Sequence, residues 1–160
     1  MNQNKSQLTE IFYHRLVESY GYSPDQLAFD VPVSSTAVAD IAIWRNIEEK
    51  NQGRTPNIYV LVACKAEHIR IKAEDYFEQF KQAVLNEMAF YVAHNLKETK
   101  VFYIDRNARP LKIERISDFP SATDIASEQG LVQFVRKVRS YGAVQFFRGC
   151  SNAVRRKSGW

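Results

Sequence analysis

The feature that most restricts the fold is the stretch 57–68, N-I-Y-V-L-V-A-C-K-A-E-H. Its apolar run reads as a strand over 58–65. Apolar side chains on both faces make it a central strand, covered on both sides. Two more strands are predicted before it, at 26–33 (Q-L-A-F-D-V-P-V) and 37–44 (A-V-A-D-I-A-I-W), joined by Ser34-Ser35-Thr36. In the second, Val38, Asp40, Ala42 and Trp44 share one face, and Ala37, Ala39, Ile41 and Ile43 share the other. Residues 45–57 are charged, contain Gly53 and Pro56, and read as a loop.

Helical spacing frames these strands. Leu8, Ile11, Phe12, Arg15, Leu16 and Ser19 build one stripe of a helix over 6–20, stopped by Gly21. A long helix is predicted over 72–94, with Tyr76, Phe77, Phe80, Ala83, Val84, Met88, Tyr91 and Val92 inside and Glu74 and Asp75 in its first turn. A fourth strand follows at 100–105 and a turn at 106–110. Helical patterns at 121–138, broken at Gly130, and at 143–156 complete the chain. The class is α/β: helix, three strands, helix, strand, then a helical tail. The long helix implies a crossover and parallel pairing of the third and fourth strands. The division expected is a core over 1–120 and a basic helical segment over 121–160.

Composition excludes several alternatives. With 160 residues and 45% apolar content, the chain is long enough for one packed domain. No apolar stretch approaches the ~20 residues of a membrane span. Met-Asn-Gln-Asn-Lys-Ser at the start lacks the apolar core of a signal peptide. Cys64 and Cys150 match no metal-ligand spacing, so a reduced cytoplasmic setting is expected. His14, His68 and His94 make a poor zinc set. Charge is uneven. Residues 129–160 hold Arg136, Lys137, Arg139, Arg148, Arg155, Arg156 and Lys157 and no acid, while the rest has 15 Lys and Arg against 18 Asp and Glu. A basic tail fits a polyanion, and equally a solvated helix face.

Two charged residues interrupt the apolar pattern. Asp40 lies inside a strand, where a carboxylate needs a hydrogen bond, a cation or a metal. Lys65 ends the central strand, where a lysine ordinarily reaches solvent. Together, at one sheet end, an acid and a lysine also suit metal-assisted phosphodiester cleavage, in which a carboxylate holds Mg²⁺ and a lysine stabilises developing charge. Such a site needs a second carboxylate two residues before the lysine, on the same face.

The pattern A-D40-I-A-I-W followed by I-Y-V-L-V-A63-C-K65 resembles the PD-(D/E)xK nuclease superfamily. With L-T-E10-I-F-Y-H-R-L-V-E, V-A-C-K-A-E-H and D-Y-F-E-Q79-F, the chain is similar over residues 5–106 to the N-terminal nuclease domain of type I restriction enzyme R subunits and related restriction-modification fusions. The resemblance implies a restriction-endonuclease-like core with a mixed central sheet. It implies a DNA endonuclease using Mg²⁺ or Mn²⁺, working with other domains or subunits of a restriction-modification system, with no membrane role. Asp40, Glu10 and the Cys64 carbonyl would hold the metal, and Lys65 would stabilise charge. Gln79 resembles the glutamine of a Gln-x-x-x-Tyr motif in which Ala83 replaces the tyrosine. Gln79, Arg136, Lys137, Arg139, Arg155, Arg156 and Lys157 are the candidate DNA contacts. His68 is read as a surface residue or phosphate contact.

The chain departs from the pattern at Ala63, where the family has Glu or Asp. Alanine cannot bind a metal, so cleavage is expected to be weak or absent. Three explanations compete: an introduced inactivating substitution, which is favoured; a natural pseudonuclease that binds DNA; or another acid, among Glu67, Glu74 and Glu78, in the same role. The tail segment F-F-R-G-C-S-N-A-V-R-R resembles a connector to later domains, and equally a helix that closes the core. No G-x-x-x-x-G-K-S/T phosphate loop and no Asn-Pro-Pro-Tyr motif occur, so motor and methylation chemistry would lie elsewhere.

Overall fold

The computed structural model describes residues 5–52, 57–66, 79 and 81–149, with the backbone alone for 140–149. The elements are α1 (Lys5–Ser19), β1 (Leu27–Pro32), β2 (Val38–Trp44), α2 (Ile47–Asn51), β3 (Ile58–Cys64), helical residues 81–85 (α3), β4 (Phe90–His94), β5 (Thr99–Asp105), β6 (Lys112–Ile116), α4 (Ala122–Ile125) and α5 (Glu128–Gly149). The strands form one six-stranded sheet in the order β1-β2-β3-β4-β5-β6. All neighbours are antiparallel except β3 and β4, which are parallel. The α/β class with a mixed sheet and a C-terminal helix is as the sequence implied.

The sheet separates two cores. One face carries Ile41, Ile43, Val60, Val62, Cys64, Phe90 and Val92, covered by Leu8, Phe12 and Leu16 of α1 and by Leu131, Phe134, Val135 and Val138 of α5. The other carries Ala42, Trp44, Leu61, Ala63, Tyr91, Ala93 and Ile104, against Ala83 and Met88. β3 is therefore covered on both faces, which is why it can be apolar at nearly every position. Gly21 ends α1 at φ 76°, and Tyr22 N–H closes the turn onto the Leu16 carbonyl at 3.2 Å. That wrap-back needs a residue comfortable in the left-handed region.

Several expectations are corrected. The helix predicted to run to 94 ends at 85, and residues 90–94 are strand β4. Glu87 at φ 59° turns the chain, Met88 N–H bonds back to the Ala83 carbonyl, and the Arg106 guanidinium donates to the carbonyls of Ala83 and Met88 at 3.1 and 2.9 Å. Met88, Tyr91 and Val92 fit a helical stripe, but all five residues of Phe90–His94 are buried, as a central strand requires. The crossover from β3 therefore leads to β4, and 100–105 is the antiparallel strand beyond it.

β6 was not anticipated. Its Lys-Ile-Glu-Arg-Ile sequence is an exposed edge, whose charges mask the strand pattern. Within the loop expected at 45–57, Asn46 caps α2 by accepting from Glu49 N–H at 2.8 Å. Finally, the helical break lies between α4 and α5, and α5 runs unbroken through Gly130 and past 143. Gly130 serves close approach instead: a Cβ there would stand 3.0 Å from the Thr123 and Asp124 carbonyls. Among the described residues no helix is long and apolar enough to cross a membrane.

Candidate nuclease-type site

The ends of β2, β3 and β4 meet the start of α1, and the sequence-predicted residues gather there. The β2–β3 ladder runs to the Ile41–Val62 pair, and just past it the Asp40 carboxylate reaches the backbone N–H of Cys64, the residue after Ala63. Lys65 follows two residues after Ala63, and strand alternation assigns both to one face. Its own backbone N–H bonds the His94 carbonyl at 2.9 Å, and its side chain is half-buried. The Asp40 carboxylate accepts from the N–H of Cys64, the residue before Lys65, so acid and lysine share one end of the sheet.

Asp40 is only 4% exposed. One carboxylate oxygen accepts the Cys64 N–H at 2.7 Å. The other meets Lys5 Nζ at 2.9 Å. The buried carboxylate thus has both a hydrogen bond and a cation, the latter a lysine of α1. Thr9 supports the arrangement: its hydroxyl donates to the Lys5 carbonyl at 2.7 Å and fixes the first turn. Burial pushes the Cys64 thiol up to about 12, so it is a packing group and no nucleophile.

Asp40 opens onto a cleft of about 770 Å³ between α1 and β1, lined also by Lys5, Glu10, Tyr13, His14 and Asp30. Glu10 is exposed on that wall. Asp30 was not singled out from the sequence, although a polar residue inside Leu27–Pro32 is a visible signal. It sits at φ 53° between the pairs Phe29–Ile41 and Val31–Ala39, opposite Asp40. A non-glycine residue in that region is uncommon, and aspartate tolerates it better than most. Lys5 and Thr9 were also missed, because nothing in a helical stripe shows that its first turn faces a buried carboxylate.

Among the described residues the donor set does not fit a resident divalent ion. Magnesium takes an octahedron of oxygens. Here Asp40 has both oxygens engaged, and position 63 offers a methyl group. Among the described residues no group of three His, Cys, Asp or Glu side chains comes together to hold a metal. Glu67, His68, Glu74 and Glu78 lie outside the described residues.

The remaining candidates are dispersed. Gln79 is helical and half-buried. Arg136 and Lys137 are exposed on α5, with Lys137 over the Phe134 ring. Arg139 is held by Glu114, at 3.1 Å through Nε, and by Asp105 at 3.3 Å. Arg155, Arg156 and Lys157 lie outside the described residues, as does the rest of the basic tail from 150.

A neighbouring polar group completes this end. His94 pairs with Cys64 along the parallel ladder and stacks on Phe12 at 4.0 Å. Its Nε2 accepts the Leu96 N–H at 3.2 Å, which assigns the proton to Nδ1, 2.6 Å from the Thr99 hydroxyl. Burial first, and the Arg15 charge second, push the imidazole down to about 4.

Compared with known proteins, residues 7–120 match the family model described as the type I restriction enzyme R protein N terminus. No curated protein matches the chain, and no solved structure does.

Proposed function

Since the chain belongs to the family of type I restriction enzyme R protein N termini, we propose that it acts on DNA as the nuclease-type domain of such a subunit, with its hydrolytic centre disabled by Ala63. The observation carrying this reading is the Asp40 carboxylate on the Cys64 N–H, one residue after Ala63 and just past the Ile41–Val62 pair. That is the spatial pairing a two-carboxylate centre needs, with one carboxylate replaced by a methyl group. Mg²⁺ or Mn²⁺ is the cofactor this reading assigns, and this chain holds it poorly. What remains is an acid, a lysine and an open cleft without the second anionic donor. We place the domain in the cytoplasm, with other domains or subunits of a restriction-modification system supplying further steps. Arg136 and Lys137 would meet phosphates without reading sequence. Arg139 contributes less, since two carboxylates already hold it.

The alternative is a domain that binds DNA and never cleaves it. The occupied state of both Asp40 oxygens favours it. One experiment separates the two: Mn²⁺ titration and nicking of supercoiled DNA, for this protein and its Ala63→Glu version. The first reading expects cleavage only from Ala63→Glu. If neither version nicks DNA, and Asp40→Ala leaves DNA affinity unchanged, the domain is a binding module. Affinity for DNA that ignores salt would sink both, because phosphate contacts release counterions.

A further inference from the structure

We propose that the Lys5 ammonium serves as a built-in counter-ion at Asp40, occupying the place a divalent cation would need. The inference rests on the reading of Asp40 as the surviving carboxylate of a nuclease-type centre. Three observations carry it. Asp40 is nearly inaccessible, so its charge requires a partner close by. Lys5 Nζ lies 2.9 Å from one oxygen, while the Cys64 N–H takes the other at 2.7 Å, leaving any entering cation a competitor to displace. And Lys5 stands in the first turn of α1, a turn with no acid, where the helix dipole disfavours a positive charge. The carboxylate offsets that cost, and the Thr9 bond to the Lys5 carbonyl holds the turn in place.

Restoring an acid at position 63 therefore repairs only half of the site. Cation affinity is set by Lys5 as well, although this residue lies outside the motif. The test is calorimetric titration with Mn²⁺ alone, without DNA, into the full chain and its A63E, A63E/K5Q and A63E/K5R versions. Removing the ammonium from this half-exposed pair should tighten Mn²⁺ binding about fivefold in A63E/K5Q relative to A63E. A63E/K5R should match A63E, because the charge remains. Thermal melts provide a second readout, with Mn²⁺ raising Tm more in A63E/K5Q than in A63E. A63E/K5A runs beside it in case the glutamine version folds poorly. Equal affinities with and without Lys5, or no Mn²⁺ binding by any version, overturn the proposal. The parent reading fails differently: A63E/K5Q would take up Mn²⁺ yet neither bind nor nick DNA.

Discussion

Two carboxylate–cation clusters sit at different parts of the sheet, and burial makes them different devices. At the β2–β3–β4 end, Asp40 is 4% exposed and joins Lys5 to the Cys64 backbone. On the far side, Arg139 of α5 bonds Glu114 of β6 and Asp105 of β5, with Lys112 at 3.5 Å from Glu114. The second cluster has more partners, yet its carboxylates are less deeply buried than Asp40, and ion pairs nearer water are weak and screened. The first has fewer partners, but each is hard to replace, because a buried backbone N–H has no water to turn to. The number of ion pairs is thus a poor guide to which cluster organises the fold.

The largest expected effect lies at the buried end and is driven by pH. The His94 imidazole, pushed down to about 4 in the folded chain, titrates near its ordinary 6.5 when unfolded. Between these values the unfolded chain binds a proton that the folded chain refuses. Stability therefore falls as pH drops from 6.5 towards 4, by on the order of 3 kcal/mol, and this contribution levels off below. Denaturant unfolding at a series of pH values measures it, and His94→Gln should flatten that window. An unchanged slope in the variant would assign the acid sensitivity elsewhere.

Next comes Asp40→Ala, which leaves the Cys64 N–H without its acceptor and should cost about 2 kcal/mol in the same unfolding measurement. A loss below the next variant's would reverse the ranking of the two clusters. The smallest effect belongs to the surface. Glu114→Gln should cost about 0.5 kcal/mol and lose even that in concentrated salt. Hydrogen bonding to Arg139 lowers the Glu114 carboxyl below its usual range. Its contribution is accordingly complete above the ordinary glutamate value and disappears as pH falls through the lower folded one. Acid thus separates the two ends: the His94 side responds first on the way down, and the Glu114 cluster afterwards.

Legibility differed with burial in a related way. β3 was readable because strand and core requirements coincide in Ile58–Cys64, where nearly every residue is buried. α1 was readable because Leu8, Phe12 and Leu16 repeat at helical spacing and all go inside. β4 was not, because Met88, Tyr91 and Val92 satisfy a helical stripe and a buried strand alike, and only the turn at Glu87 distinguishes them. β6 lacked a signal because an exposed edge carries charges that any loop could carry. At the candidate site, Asp40, Ala63, Lys65 and Glu10 were nameable from local patterns, whereas Lys5, Thr9 and Asp30 were not.

By itself, then, the sequence determined an α/β chain with a central, doubly covered strand, a polar pair at its end and an alanine two residues before the lysine of that pair. Those features are local, written in the alternation and spacing of neighbouring residues. Only the tertiary structure decided which strand β3 pairs with and that Lys5 closes on Asp40. Both depend on contacts between residues distant in sequence, where cross-sheet packing and the need of a buried charge for a partner outweigh local preference.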